Sequence, residues 1–311
     1  MTGEFASISA IQALLPVPNQ AVDIWIGDDA AAVELPAGGG CLLLAADTVV
    51  GGVHADLGLT GLDDLGWKAM VASLSDIAAM GGEPGHALVT VAAPPETDLP
   101  LLYRGIAAAA RAFGCPVVGG DLTNAPEIVV TVAVTGYSGG RPVSRSGARP
   151  GDEVWVTGPL GAAAAGLRLL SSRTAQTPAD REAVTAHARP VPLLAAGRAA
   201  LAAGATAMID VSDGLSADLD HVVTASGVGL QLDSVPVHPA ATLEEALGGG
   251  EDFVLAFCAP ESAGVEVAFA ALDTPIRIGR CTADPAERTL GGEAFTPSGW
   301  EHQWHERKET P

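Results

Sequence analysis

The chain has 311 residues, 48% hydrophobic and 17% charged, the balance of a globular core and not of a disordered polymer. Its 37 acidic residues against 16 basic ones leave a net charge of −21, which argues against nucleic acid or an anionic membrane as a partner. Two domains are expected at this length.

A short amphipathic helix is predicted over residues 5–15, ended by Pro16 and Pro18. Glu4 precedes it and no basic region does, so no secretory signal is read there and a cytoplasmic location is expected. A strand over 24–26 runs into Gly27-Asp28-Asp29-Ala30-Ala31, and a second over 41–46 runs into Asp47-Thr48. Thr60 with Asp63 opens a helix in the manner of a capping box, with Met70, Leu74 and Ile77 as its apolar face. Asp76 falls near the C-terminal end of that helix, where the dipole disfavours a carboxylate unless water or a cation offsets it. A strand over 86–91, an Ala-rich helix over 101–113 closed by Gly114, a short strand over 116–118 and a β-branched strand over 128–134 follow. Gly119-Gly120-Asp121 stands directly after the third of these. This half reads as a sheet with helices on one side.

Turn formers over 145–152 mark a domain boundary. Beyond it come a strand over 154–157, a Gly158-Pro-Leu-Gly161 turn, a helix through Leu170, an exposed connection over 171–180 and a helix over 192–203 stopped by Gly204. An apolar run ending at Ile209 then enters Asp210-Val-Ser-Asp-Gly214, and Leu215, Leu219, Val222 and Val223 recur at helical spacing. A strand over 229–232, a short helix through Leu247, Gly248-Gly-Gly-Glu251-Asp252 and a strand over 253–257 complete an α/β alternation. The tail from Thr289 is polar but carries Trp300, His302 and Trp304. Cys41, Cys115, Cys258 and Cys281 lack Cys-x-x-Cys spacing and are read as buried free thiols.

Acids therefore recur at element ends: Asp28/Asp29, Asp47, Asp76, Asp121 and Asp210/Asp213. A loop Asp is usually a cap or turn former, and Ser212 or Asp213 would serve as one. Hard oxygen donors from several loops also suit Mg²⁺, which takes the rest of its shell from water and phosphate. Gly119 and Gly120 would let backbone N–H groups approach a phosphate. No P-loop, dinucleotide fingerprint, nucleophile elbow or His-Glu-x-x-His motif is present, and the only lysines are Lys68 and Lys308.

Gly27-Asp-Asp-Ala-Ala31, Asp47-Thr48 with Gly52-Val-His54, Leu74-Ser-Asp-Ile-Ala-Ala-Met-Gly81, Gly119-Gly-Asp-Leu-Thr123, Ser144 to Asp152, Ile209 to Gly214 and Gly249-Gly-Glu-Asp252 together resemble thiamine-monophosphate kinases of the aminoimidazole-ribonucleotide-synthetase-like superfamily. The segments span nearly the whole chain in order. The resemblance implies an α+β / α/β two-domain fold: residues 1–147 for ATP and Mg²⁺ binding, with a mixed sheet forming a barrel across a dimer interface, and residues 148–311 as an α/β domain. It implies ATP-dependent phosphorylation of thiamine monophosphate to thiamine diphosphate by a homodimer with several Mg²⁺ ions. Position by position, Asp29, Asp47, Asp76, Asp121, Asp210 and Asp213 match metal ligands, and Gly120, Asp121, Arg145 and Ser212 match positions at ATP. Asp121, Asp210 and Arg145 are the expected catalytic set, and His54, Glu251 and Trp300 the expected thiamine phosphate contacts, Glu251 and Trp300 as a carboxylate and a ring face for the thiazolium cation.

The chain departs from the pattern at Ala46, where a Thr often precedes the acid, and at Ala55, where an aromatic usually follows the His. Another ATP-dependent member of the superfamily is the first alternative. The selenide type is disfavoured because Cys41 opens a buried strand, and the hydrogenase-maturation type because the C-terminus reads Lys-Glu-Thr-Pro311. A catalytically silent nucleotide and Mg²⁺ module is the second alternative.

Overall fold

The computed structural model describes residues 8, 11–15, 22–35, 39–261 and 263–302. Helical turns at 8 and 11–14 belong to the predicted N-terminal helix, whose remainder lies outside the described residues, as does Trp304.

Six strands build the first sheet: β1 (Val22–Ile24), β2 (Ala31–Glu34), β3 (Cys41–Val50), β4 (Glu83–Ala93), β5 (Val117–Asn124) and β6 (Val129–Ser138), in the order β1-β2-β3-β6-β4-β5. Only β4 and β5 pair in parallel. Helices α1 (Leu62–Ala79) and α2 (Leu99–Phe113) connect them. Cys41, Leu43, Val49, Val89, Val91, Val130 and Val132 face inward and are buried, as alternation along a half-covered strand requires. The outward positions include Leu44, Leu88 and Tyr137, at 41%, 50% and 44% exposure, so one face of this sheet is open.

Helix α1 is the spine of the molecule. Leu65, Met70, Leu74 and Ile77 are buried completely or nearly so, and each contributes about 1.5–3 kcal/mol by leaving water. Close backbone packing fixes its position: a Cβ at Gly105 would meet the Asp63 carbonyl oxygen at 1.7 Å, and one at Gly197 would meet that of Ala78 at 2.0 Å. The helix starts at Gly61, whose N–H reaches Asp64 at 3.4 Å, one residue later than the Thr60–Asp63 box expected from the sequence.

The second sheet comprises β7 (Glu153–Val156), β8 (Ala207–Asp210), β9 (Gly229–Leu232), β10 (Leu255–Ala259), β11 (Ile276–Thr282), β12 (Arg288–Leu290) and β13 (Glu293–Ala294), ordered β13-β12-β9-β11-β7-β10-β8. Its helices are α3 (Ala162–Ser172), α4 (Pro178–Ala188), α5 (Leu194–Ala203), α6 (Leu215–Ser226), α7 (Leu243–Gly248) and α8 (Val265–Ala268). The alternation of helix and strand is present, yet only β12 and β9 run parallel, because β7, β10 and β11 pair as antiparallel neighbours across long connections. The fold is thus two-domain α/β with mixed sheets. Met208, Leu255 and Phe257 of the second sheet share a hydrophobic core with α1, which locks the two halves together. All four cysteines are buried and none forms a disulfide, and no helix among the described residues is long and apolar enough to cross a membrane.

Candidate active site

Two of the acids expected at element ends sit inside strands. Strand β3 runs on through Asp47 to Val50, and β5 starts at Val117 and carries Asp121 within it. Asp47 takes the inward parity of Leu43 and Val49, on the side of Asp76 of α1, whose carboxyl acts on it. Asp29 comes from the turn after β1, and Asp210 ends β8. One carboxylate oxygen from each of Asp29, Asp76 and Asp210 lies within 4.8 Å of the others. Four acids from the turn before β2, from β3, α1 and β8 therefore meet where the two sheets join.

The electrostatic cost of this gathering is visible on every member. Burial pushes Asp210 up to about 8, with Asp29 adding repulsion. Asp76 is raised well above the usual carboxylate range by burial and then by Asp47, Asp210 and Asp29. Asp29 and Asp47 are raised by burial as well. Arg145 opposes the repulsion: its Nε donates to Asp29 Oδ1 at 3.0 Å and its Nη2 contacts the same oxygen. Burial works against the arginine charge, but Asp29 more than offsets it. Asp28 holds the Arg145 backbone, accepting its N–H at 3.0 and 3.2 Å and that of Asp29 at 3.0 Å. Among the described residues one guanidinium pairs with these four acids, and Asp29 Oδ2 is buried there without a hydrogen-bond partner. Oxygen donors so placed fit a hard divalent cation.

The structure does not bring Asp121 to this group. It pairs in register with Thr90, Thr131 and Thr48 on the open face, three strands from β3 and thus about 14 Å away at the usual strand spacing. Gly120 beside it has φ +154°, and a Cβ there would meet the Val89 carbonyl oxygen at 1.8 Å, so only glycine fits. Asp213 also stands apart from the three close oxygens and acts on Asp218. Nor do Ser212 and Asp213 cap α6, whose N-cap is Gly214. Asp218, buried on that helix, reaches back to accept the N–H groups of Asp213 and Gly214 at 3.2 and 3.0 Å. Burial, then Asp213 and Asp210, hold Asp218 well above its ordinary pKa. The Gly158–Gly161 turn is closed to phosphate, because Asp252 accepts from Gly161 and Ala163 N–H at 2.5 and 2.9 Å.

A second group lies along α1. His54 Nδ1 accepts the Val50 N–H at 2.9 Å, which puts its proton on Nε2, 3.3 Å from His302 Nε2. Trp300 is 54% exposed, sits edge-on to His302 with centroids 6.0 Å apart, and is tethered by its N–H to the Asp213 carbonyl oxygen at 2.9 Å. Glu251, with φ +67°, donates its N–H to the Ser212 carbonyl oxygen at 2.8 Å, so its loop presses on the Asp210–Gly214 turn. Its carboxylate is already paired with Lys68 Nζ at 2.7 Å. Sequence reasoning passed over Lys68 and His187, the latter on a helix it did not foresee.

Two mixed sheets closing around buried carboxylates define the class. The description "AIR synthase related protein, N-terminal domain" matches residues 27–138, and its C-terminal counterpart matches residues 149–290. Within that class the chain belongs to the thiamine-monophosphate kinase family. It is 37% identical over 304 residues to the thiamine-monophosphate kinase of Salmonella typhimurium, covering 91% of each chain. The Halobacterium salinarum enzyme of that name is 38% identical over 248 residues, covering 76% of this chain and 83% of the relative. A solved structure of AaThiL complexed with AMPPCP and TMP superposes with a TM-score of 0.84 at 32% identity, covering 97% of each chain.

Proposed function

We propose that this chain is a kinase that transfers the γ-phosphoryl group of ATP to the phosphate of thiamine monophosphate, giving thiamine diphosphate. The observation that carries the reading is the meeting of Asp29, Asp76 and Asp210 within 4.8 Å, in a chain similar to named kinases over nine-tenths of its length. Asp29, Asp47, Asp76 and Asp210 would hold Mg²⁺. Bound there, the metal supplies charge neutralisation between two mutually repelling phosphates. The acceptor needs no enzymic base, since a phosphate monoester with a second pKa near ~6 is largely ionised at neutral pH. Arg145 would present a forked donor to a phosphate. Gly120, Ser212 and Asp121 are assigned to the nucleotide side, and Asp213 to the metal shell beside the turn. His54, Glu251 and Trp300 are assigned to the acceptor.

Asp121 acquires a role through a second copy of the chain. The open face bearing Leu44, Leu88 and Tyr137 is the surface a partner would cover, and a homodimer closed there, its two sheets forming a barrel, carries Asp121 into the interface. The reaction is assigned to the cytoplasm, with residues 1–147 and 148–311 as its two domains. Release of ADP with thiamine monophosphate, thiamine and unrelated phosphate monoesters tests the reading. Turnover with thiamine monophosphate alone is expected, and release without acceptor preference contradicts it.

A further inference from the structure

Four elements deliver one side chain or backbone group each to a buried corner on the acceptor side: the turn after β3 (His54), α1 (Lys68), α4 (His187) and the loop before β10 (Glu251). Lys68 is 3% exposed. Its Nζ donates to Glu251 Oε2 at 2.7 Å and to the His54 carbonyl oxygen at 3.3 Å. His187 Nδ1 stands 3.6 Å from the same Oε2, and burial together with the Lys68 charge holds that imidazole down to about 4. It is neutral at neutral pH, so the glutamate charge is balanced by Lys68 alone among these groups. All of the holding is done at Oε2. Oε1 has no hydrogen-bond partner among the described residues, and the Glu251 side chain is 27% exposed.

An already balanced carboxylate attracts a cation weakly, but its second oxygen is a strong hydrogen-bond acceptor. Lys68 also sits eight residues before Asp76 on the same rigid helix, about 12 Å along its axis. One element thus spaces the acceptor corner from the acid cluster.

Building on the kinase reading above, we propose that Lys68 is a positioning residue: it anchors Glu251 through Oε2 and leaves Oε1 to receive an N–H donor of the acceptor, so that this corner reads the amino group of an aminopyrimidine and not the thiazolium charge. The role is exercised through Glu251. Losing Lys68 leaves a carboxylate misplaced and unbalanced, and losing both leaves nothing further to misplace.

Steady-state kinetics of wild type, Lys68→Met, Lys68→Arg, Glu251→Gln and Lys68→Met/Glu251→Gln, with thiamine monophosphate and ATP varied separately, test this. Lys68→Met is expected to raise KM for thiamine monophosphate about tenfold, the worth of one hydrogen bond to a charged group, and to leave KM for ATP within about twofold. Lys68→Arg restores part of the loss. In the Glu251→Gln background Lys68→Met adds less than twofold, a comparison that holds even if the single Lys68→Met variant does not fold. Wild type is expected to disfavour oxythiamine monophosphate, whose pyrimidine lacks the amino group, and Glu251→Gln to lose that preference. Equal rises in both KM values, full additivity in the double variant, or an undiminished preference in Glu251→Gln overturns the proposal. A wild type active on thiamine monophosphate with Lys68→Met unchanged sinks this inference alone. A wild type inactive on thiamine monophosphate sinks the kinase reading and this inference with it.

Discussion

Arg145 spends its fork on a single oxygen of Asp29, with Nε at 3.0 Å and Nη2 on the same atom, while the other oxygen of that carboxylate is buried and has no hydrogen-bond partner among the described residues. The arginine is the internal counter-charge of the acid cluster. Replacing it with Gln leaves Asp29 buried and unbalanced, which costs about 3 kcal/mol or more in the metal-free protein. Its loss also lowers kcat by at least ~10² if it meets transition-state charge. Urea unfolding in EDTA measures the first effect and ADP release the second. Lys in its place is expected to recover part of the stability and little of the rate, because an ammonium cannot fork.

The metal-free protein should lose stability as pH rises from 6.5 to 8. Asp210 is raised from 3.8 to about 8. Its unfolded form is therefore deprotonated across this window while the folded form still holds a proton, and stability falls with pH. The depressed His187 acts with the opposite sign, but between about 4 and 6.5, below the window. Asp28 and Asp252, raised to about 6, have largely titrated before it. The slope from one such group is roughly 1 kcal/mol per pH unit. Melting temperatures in EDTA should fall across the window for wild type and change less for Asp210→Asn. Added Mg²⁺ should stabilise more at pH 8 than at pH 6.5, because fewer protons then compete for the carboxylates.

Leu88→Lys places a charge in the centre of the open face. Light scattering is expected to show a dimer for wild type and a monomer for the variant, with turnover falling in parallel because Asp121 lies on that face. Asp121→Asn should lower kcat by at least ~10² while leaving metal-free stability unchanged, since it stands clear of the four gathered acids. An active monomer would detach Asp121 from the reaction.

Trp300→Ala removes an exposed ring but keeps the backbone N–H that donates to the Asp213 carbonyl oxygen. A cation–π contact is worth about 0.5–2 kcal/mol, so KM for thiamine monophosphate should rise several-fold with KM for ATP unchanged. A change in melting temperature with no change in KM would make Trp300 a packing residue only.

The elements with strong periodicity or clear stops were legible in the sequence: α1 from Met70, Leu74 and Ile77, and α2 and α5 from the glycines that end them. Helix α4 was not, because its core-facing side is little more than Ala183 and His187 and its start rests on a Thr177–Asp180 capping box in a polar stretch. Strand β11, Ile276–Thr282, was missed because Arg277, Gly279 and Arg280 interrupt its apolar alternation. The acids were legible as a set, but their faces were not. Asp47 and Asp121 both follow apolar strand residues, and only pairing register reveals that one points to α1 and the other to the open face. Asp218 and Lys68 were invisible for the same reason: a helical charge reads as solvated surface until the fold buries it.

The most direct test of the account is the formation of thiamine diphosphate from ATP and thiamine monophosphate, followed against Mg²⁺ concentration for wild type and Asp76→Asn. The account predicts one ADP per thiamine diphosphate, strict dependence on the cation, and a variant with at least ~10²-fold lower kcat and weakened Mg²⁺ dependence. Equal turnover by the variant, or turnover that persists in EDTA, would contradict the claim that these gathered carboxylates hold the metal that makes the reaction possible.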